Sequence, residues 1–319
     1  MSAHALFALD ILLAGLLLTL AVAALHSKSL RQAVIIFVVF GLVAALIWAR
    51  LKAPDVALAE AAIGSGVAGA LLLAALRERN PATRATLGKE RPRWLILTTT
   101  YLVAGLGLFA VWAFIDAQSL HSSLRLGGMV QAELANSGVS NPVTAVLLNF
   151  RAFDTLLELA VLFAALIGVL ILGPERPSPR TAGAVVTHLV GWLTPLLIIS
   201  AAYLLWVGAH APGGAFQAGA LLAAAGIIMR LSGMEQPGLP EGISLRLIAA
   251  SGCGVFLIIG LAAMLNGDAS LLQLPTAWAG SLILFIEVFA TLAIAISLLL
   301  LYRGGSPLAW ESDKERNHD

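Results

Sequence analysis

The feature that most constrains this chain is a series of apolar stretches, each long enough to cross about 30 Å of hydrocarbon as a helix. Nine such stretches fall at residues 5–25, 30–49, 54–76, 94–115, 155–173, 187–209, 215–232, 244–265 and 276–302. Stretches of this length and polarity are typical of membrane-spanning helices. The sequence therefore predicts an all-α integral membrane protein with about nine transmembrane helices.

The composition supports a membrane environment and excludes several classes of protein. Of the 319 residues, 59% are hydrophobic and only 12% are charged, which is outside the range of ordinary water-soluble domains. A formal net charge of +1 offers no basic surface for nucleic acid. The sequence has no phosphate-binding loop, no Cys/His cluster and no nucleophile triad. We therefore expect neither an enzyme nor a metal or cofactor site.

The distribution of basic residues predicts the orientation in the membrane. If the N-terminus is outside, most lysines and arginines, including the run from Arg77 to Arg93, lie on the inner side. The outer side then keeps only Arg50, Lys52 and Arg125. By the positive-inside rule, we expect the N-terminus outside and the C-terminus inside.

Two loops divide the nine stretches into groups of three, two and four. The charged segment 77–93 follows the third stretch, and the segment 173–180 contains three prolines, which exclude a continuous helix. The predicted modules are residues 1–80, 81–175 and 176–319.

Carboxylates inside the apolar stretches are candidates for ion handling, because a charge at the bilayer centre costs at least about 2.5–3.5 kcal/mol. Glu60 lies about two turns into the third stretch and is followed by Gly64 and Gly66. Small residues let another helix approach closely, and they make a local distortion such as a π-bulge possible. Two interpretations stay open for Glu60: a proton or cation relay, and a carboxylate paired across helices for assembly.

Glu287 is the deepest carboxylate, near the middle of the last stretch and without a basic residue nearby in sequence. We expect it to be protonated at neutral pH unless a cation or a file of water reaches it, because desolvation disfavours the charged form. A relay and a neutral packing residue are both compatible with this position. Asp10 could be solvated near the outer surface. Glu60 and Glu287 are the leading relay candidates, with Asp10, Asp154 and Glu158 as subsidiary ones.

The segment around Arg151 allows two interpretations. If it is helical throughout, Arg151, Asp154 and Glu158 share one face as an ion-paired stripe. If a helix begins at Thr155, Thr155 and Glu158 form a capping box. A continuous helix through the segment would run about 48 Å, too long for the bilayer. We therefore favour the cap and expect residues 143–150 to form an extended outer segment.

A glycine-rich turn joins the sixth and seventh stretches. Pro212 cannot extend a helix, and Gly213 and Gly214 permit positive φ and close backbone approach. His210 could titrate near neutral pH, and Gln217 could form a hydrogen bond within the membrane. A functional turn and a simple hairpin both remain open for this sequence, Gly208-Ala-His-Ala-Pro-Gly-Gly-Ala-Phe-Gln-Ala-Gly219.

Three motifs resemble parts of Mrp-type multisubunit cation/proton antiporters. The sequence Ala53-Pro-Asp-Val-Ala-Leu-Ala-Glu60 resembles the three-helix, MbhD-like module at the end of the large antiporter subunit. The sequence Asn149-Phe-Arg-Ala-Phe-Asp-Thr155 is similar to the two-helix, MbhE-like module that follows. Residues from about 184 onward are similar to the smaller, MnhB-like antiporter subunit, in which Glu287 matches an acidic position of the last helix.

The resemblance implies a fusion of parts that are separate elsewhere, in the cytoplasmic (inner) membrane of a prokaryote. It implies an accessory subunit whose partners are antiporter-like membrane subunits, the lipid bilayer, and protons or sodium ions. One departure is Gly64, where some relatives carry the third-helix carboxylate. No lysine of this chain lies in the middle of a helix, so we expect it not to be a complete pump. A purely structural scaffold joining channel subunits is the alternative.

Overall fold

The computed structural model describes residues 3–77, 93–119, 126–172, 184–233, 242–265, 272 and 274–304. Both predicted module boundaries, the charged loop and the proline-rich loop, fall largely or wholly outside these residues. The described part is helical and contains no strand. The predicted all-α class is therefore confirmed.

Twelve α-helices form the described part of the chain, together with short π-helical and 3₁₀ segments. The helices are α1 (Ala3–Leu25), α2 (Leu30–Arg50), α3 (Pro54–Ala59), α4 (Ala68–Arg77), α5 (Arg93–Ser119), α6 (Leu126–Glu133), α7 (Pro142–Ala145), α8 (Ala152–Leu172), α9 (Ala184–Val207), α10 (Ala215–Leu231), α11 (Gly242–Met264) and α12 (Ala279–Tyr302). The π-helical segments are Glu60–Val67 and Val146–Phe150, and the 3₁₀ segment is Leu134–Asn136.

Seven of the predicted spans are confirmed as helices long and apolar enough to cross a membrane within the described residues. The other two predicted spans correspond to shorter apolar helices, Leu97–Ala113 within α5 and Ala215–Leu231, which is α10. The chain is therefore a multi-span helical protein. The total of nine spans and the N-out, C-in orientation remain predictions.

The third span is distorted where its glycines cluster. Its first helix, α3, passes into the π-helical segment Glu60–Val67 before α4 resumes. The Ser65 hydroxyl donates to the Glu60 carbonyl oxygen at 3.2 Å, across the widened turn. The expected possibility of a π-bulge beside Glu60 is thus confirmed.

The favoured prediction for the segment around Arg151 is wrong. Residues 143–150 are helical rather than extended, and the next helix begins at Ala152 rather than Thr155. Asn141 caps α7 by accepting from the Val143 N–H at 3.0 Å, and proline is favoured at the next position. The Thr155 hydroxyl donates back to the Leu147 carbonyl oxygen at 2.6 Å, so it is not a helix cap.

The backbone at Arg151 explains how the segment can be helical although one straight helix would be too long for the bilayer. The Arg151 backbone (φ −130, ψ 35) leaves the helical region and separates the π-helical segment Val146–Phe150 from α8. The chain can therefore be helical on both sides of Arg151 without forming one straight helix. The alternative prediction was nearer the structure, since the helix does include Asp154 and Glu158.

The centre of the bundle is α12. About 61% of the most apolar 18-residue stretch of α12 is buried inside the protein, against 6% for the corresponding stretch of α1. Glycines of neighbouring helices allow close approach to α12: Gly219 and Gly226 of α10 lie against Ile294 and Leu299, and Gly252 of α11 lies against Ala293. This packing places Glu287, which projects from α12, inside the protein.

Candidate functional site

Glu287 is buried at the centre of the bundle, as the sequence predicted from its depth. Its exposed fraction is 2%, and it belongs to a helix of 24 residues that passes through the core. The neighbouring side chains on α12 that share its burial include Ile283, Ile286 and Ala290. On this side, the carboxyl group therefore lies in an apolar setting.

The N-terminal turn of α10 forms the polar side of the Glu287 environment. The backbone N–H of Ala215 faces the Glu287 carboxyl group. Gly214 has φ +104, and a Cβ built on it would lie 2.9 Å from Glu287 Oε1. In the described residues, Glu287 Oε2 is buried and has no hydrogen-bond partner. One carboxyl oxygen thus faces a helix N-terminus, and the other is left unsatisfied.

Asp55 holds the same turn from the other side. It lies in the first turn of α3. Its Oδ1 accepts from the Gly213 N–H at 3.2 Å, while its backbone carbonyl oxygen accepts from the Gln217 side-chain amide at 3.2 Å. Gln217 is 7% exposed, so this hydrogen bond is buried inside the protein.

Asn141 and Thr144 fix the preceding part of the glycine-rich turn. The Asn141 side-chain amide donates to the carbonyl oxygens of Gly208 and Ala211 at 3.2 and 3.0 Å. The Thr144 hydroxyl donates to the same Gly208 oxygen at 2.6 Å. Residues far apart in sequence therefore meet at one polar junction.

His210 and Pro212 belong to this junction but do not contact Glu287 through any described hydrogen bond. His210 Nδ1 and the Ser140 hydroxyl lie 3.0 Å apart. Pro212 precedes the two glycines at which the chain reverses direction. We name the set of Asp55, Asn141, Thr144 and residues 208–217 the outer junction, after the side of the membrane on which the predicted orientation would place it.

Glu60 lies in a separate, partly buried position between the third span and α2. A Cβ built on Gly41 of α2 would lie 3.0 Å from Glu60 Oε1 and 2.5 Å from the Ser65 hydroxyl oxygen. The Glu60 carboxyl group also contacts Gly64, occupying the space where a side chain at position 64 would begin. Gly66, by contrast, is exposed. The glycines at 41 and 64 therefore make room for the Glu60 carboxyl group.

The three subsidiary carboxylates have different surroundings. Asp10 forms an ion pair with Arg50 of α2, with 2.9 Å between Asp10 Oδ1 and Arg50 Nε. Asp154 forms an ion pair with Arg151. Glu158 is exposed on the surface of α8. The charge of Asp10 is therefore balanced by a cation from the next helix, and not by water alone.

Within the described residues, the predicted relay carboxylates do not form one continuous path of hydrogen bonds or ion pairs. No described hydrogen bond or ion pair links Glu287 with Glu60, Asp10, Asp154 or Glu158. A cavity of about 640 Å³ lies beside the Arg151 break and is lined by Glu133, Asn136, Asn149, Phe150, Arg151, Ala152, Phe153, Leu272, Leu274 and Thr276. Neither Glu287 nor Glu60 lines this cavity. Within the same residues, no group of three or more His, Cys, Asp or Glu could hold a metal ion.

Sequence reasoning identified the glycine-rich turn of the outer junction but missed the residues that hold it. Asp55, Asn141 and Thr144 were not identified as site residues. One readable signal existed: Asn141-Pro142 is a typical N-cap and first-turn pair. It would have predicted α7, but not the contacts of Asn141 with the turn.

Family comparisons match two parts of the chain. Residues 15–81 match MbhD, the family of the MBH D subunit. Residues 185–304 match the domain related to the MnhB subunit of Na⁺/H⁺ antiporter. The A subunit of a Na⁺/H⁺ antiporter from Alkalihalophilus pseudofirmus is 30% identical over 154 residues. That alignment covers 46% of this chain and only 18% of the relative.

Two solved structures share the fold. A chain of the Mrp complex from Dietzia sp. matches with a TM-score of 0.71 and 23% identity, covering 93% of this chain and 35% of that chain. A chain of the membrane-bound sulfane sulfur reductase, an archaeal respiratory membrane complex, matches with a TM-score of 0.51 and 22% identity. This match covers 65% of this chain and 97% of that chain.

The helical spans and these matches define the class first: a multi-span helical membrane protein with parts similar to subunits of multisubunit, antiporter-like complexes. Within that class, the chain resembles a fusion of Mrp-type antiporter subunits, because one segment matches MbhD and another matches the domain related to MnhB. The predicted resemblance is confirmed. The module boundaries at 80 and 175, and the MbhE-like middle module, remain predictions.

Proposed function

We propose that this chain is an accessory subunit that contributes to proton or sodium translocation in an Mrp-like complex. Glu287 and Glu60 are the proposed relay groups, and Asp10, Asp154 and Glu158 are subsidiary. The chain is not an enzyme in this proposal. It lies in the cytoplasmic (inner) membrane of a prokaryote, with its N-terminus outside and antiporter-like channel subunits as its partners.

The observation that carries the proposal is the unsatisfied Oε2 of the buried Glu287. A buried polar atom without a partner costs roughly 1–3 kcal/mol, so a residue kept only for packing would be better replaced by an apolar one. A carboxyl group that takes up and releases a proton must instead alternate between two hydrogen-bonding states. The orphan oxygen and the Ala215 N–H together support such an exchange at Glu287.

Glu60 supports the proposal in a different way. Its carboxyl group lies in a π-helical segment, a distortion that is frequent at functional sites, with glycines on two sides. The two carboxyl groups have no described bond between them, so transfer between them would require water or a partner subunit. We propose that Glu60 and Glu287 each serve a separate part of the ion pathway through the complex.

A structural scaffold is the second candidate, and the outer junction favours it. Asp55, Asn141 and the glycine-rich turn lock together segments up to 162 residues apart, which is what a scaffold needs. Under this alternative the carboxylates stabilise assembly and carry no ion.

Two substitutions separate the candidates: Glu60→Gln and Glu287→Gln in the complex purified through a tag on this chain. Under the relay proposal, each variant assembles with the same partner chains as the wild type, and proton-coupled cation flux in liposomes falls at least about tenfold, equivalent to about 1.4 kcal/mol. Loss of partner chains, with normal flux in whatever complex remains, would favour the scaffold instead.

A further inference from the structure

Asp55 makes its side-chain contacts away from its own helix. The N-cap of α3, Ala53, has no side-chain cap hydrogen bond, and the Asp55 carboxylate does not supply one. Instead, Asp55 Oδ1 accepts from the Gly213 N–H at 3.2 Å. Gly213 immediately precedes the N-cap of α10, so the carboxylate is placed where the field of that helix favours negative charge.

The backbone of Asp55 adds a second link to the same helix. Its carbonyl oxygen accepts from the Gln217 side chain at 3.2 Å, and Gln217 lies in the first turn of α10. One residue of α3 thus holds both the residue before the N-cap and the first turn of α10. Asn141 approaches the same carboxylate oxygen at 3.5 Å while it holds Gly208 and Ala211.

Glu287 contacts the other side of this turn. The Gly214 backbone approaches Glu287 Oε1 closely, and the Ala215 N–H faces the same carboxyl group. Gly213, Gly214 and Ala215 are consecutive, so any displacement of Gly213 changes the position of the Ala215 N–H. The turn is also close-packed on the α9 side, because the Gly214 N–H donates to the Leu204 carbonyl oxygen at 2.9 Å.

We propose that Asp55 is a positioning residue that fixes the N-terminal turn of α10 over the Glu287 carboxyl group. It acts through the Gly213 N–H and does not itself carry the transported ion. The role rests on the proposed function of Glu287 as a relay group. Because Asp55 and Glu287 lie in different predicted modules, the contact also makes the geometry of the Glu287 site depend on the docking of the first module against the last.

The proposal predicts an unusual order among conservative variants. Asp55→Asn removes the charge but keeps an acceptor oxygen at the same distance for the Gly213 N–H. Asp55→Glu keeps the charge but adds a methylene group, so the acceptor can no longer occupy the same position. A positioning residue therefore tolerates Asn better than Glu, whereas a relay residue tolerates Glu better than Asn, since Gln-type and Asn-type amides do not exchange protons at accessible pH.

The test measures proton-coupled cation flux and the infrared carboxyl band of Glu287 in the assembled complex in liposomes. The band is assigned by its loss in Glu287→Gln. We expect Asp55→Asn to keep at least half of the wild-type flux and the band position. We expect Asp55→Glu to assemble, to lose at least about tenfold in flux, and to shift the band to higher wavenumber as the Ala215 N–H moves away from the carboxyl group. Asp116→Glu on the exposed helix α5 is the matched control and should change neither readout.

Two results would overturn the proposal. One is an Asp55→Glu complex with wild-type flux and an unshifted Glu287 band. The other is an Asp55→Asn complex that loses flux as strongly as Glu287→Gln with an unshifted band, which would make Asp55 a relay residue. If Asp55→Glu fails to assemble, Asp55→Ala decides, because it lacks the acceptor for the Gly213 N–H: the proposal expects its Glu287 band to shift to higher wavenumber, and an unshifted band would refute the role of the Asp55 carboxylate. Normal flux in Glu287→Gln would refute the proposed function alone, because the band would still report the positioning of Glu287.

Discussion

Replacement of Gly214 by alanine is the sharpest perturbation of the Glu287 site that the structure offers. Gly214 has φ +104 and ψ −172, a backbone conformation that is essentially restricted to glycine. A Cβ at this position would also lie 2.9 Å from Glu287 Oε1, closer than an ordinary van der Waals contact. Alanine can therefore be accommodated only if the turn or the Glu287 side chain moves.

The expected cost combines these two effects. Holding a non-glycine residue in a sparsely populated backbone region costs about 1–3 kcal/mol. Forcing an extra methyl group into a packed interior typically costs about 1–3 kcal/mol. Because a shift of the turn relieves part of both, we expect Gly214→Ala to lower the free energy of unfolding by about 2–5 kcal/mol. The same shift moves the Ala215 N–H relative to the Glu287 carboxyl group.

The assay is reversible unfolding of the purified chain in mixed micelles, with Gly254→Ala as the matched control. A Cβ on Gly254 meets nothing within 4 Å, and alanine inside a helix is favoured over glycine by up to about 1 kcal/mol. We expect the control to be neutral or stabilising. Wild-type stability of Gly214→Ala would refute the assigned backbone conformation and the close approach to Glu287.

Three further predictions concern packing, charge and orientation. Gly69→Ala should lower the free energy of unfolding by about 1–3 kcal/mol, because its Cβ would lie 2.6 Å from a valine side chain of α2. Gly15→Ala, whose Cβ meets nothing within 4 Å, is the control and should not lower it. The Asp10–Arg50 pair is half-exposed, so a double-mutant cycle with Asp10→Asn and Arg50→Gln should give a coupling of about 0.2–1 kcal/mol, and a coupling several times larger would contradict this estimate. With Cys253 replaced by serine, Lys28→Cys should react only with reagents on the cytoplasmic side, and labelling from outside would reverse the predicted orientation.

The hydropathy of the sequence predicted the helices because each span in lipid must satisfy its backbone hydrogen bonds internally, as a helix does. The third span shows this well: the predicted stretch 54–76 is found as the helical span Pro54–Leu76. The depth of Glu287 followed from its distance to both ends of one helix. Such features depend only on residues near one another in sequence, and are therefore readable from it.

The outer junction could not be predicted in the same way. The bonds from Asn141 and Gln217 to Asp55 join residues 86 and 162 positions apart, and no local pattern encodes those partners. The break at Arg151 was missed for a related reason. The length argument correctly excluded one straight helix, but a single residue outside the helical region satisfies it as well as an extended segment does.

The central claim is that the Glu287 carboxyl group exchanges a proton during transport, and infrared difference spectroscopy tests it most directly. The assembled complex is reconstituted in liposomes, and spectra are compared with a proton gradient imposed in either direction. The account predicts a carboxyl carbonyl band whose intensity changes with the direction of the gradient and which is absent in Glu287→Gln. A gradient-dependent spectrum that is identical in wild type and Glu287→Gln, from complexes that transport equally well, would contradict it.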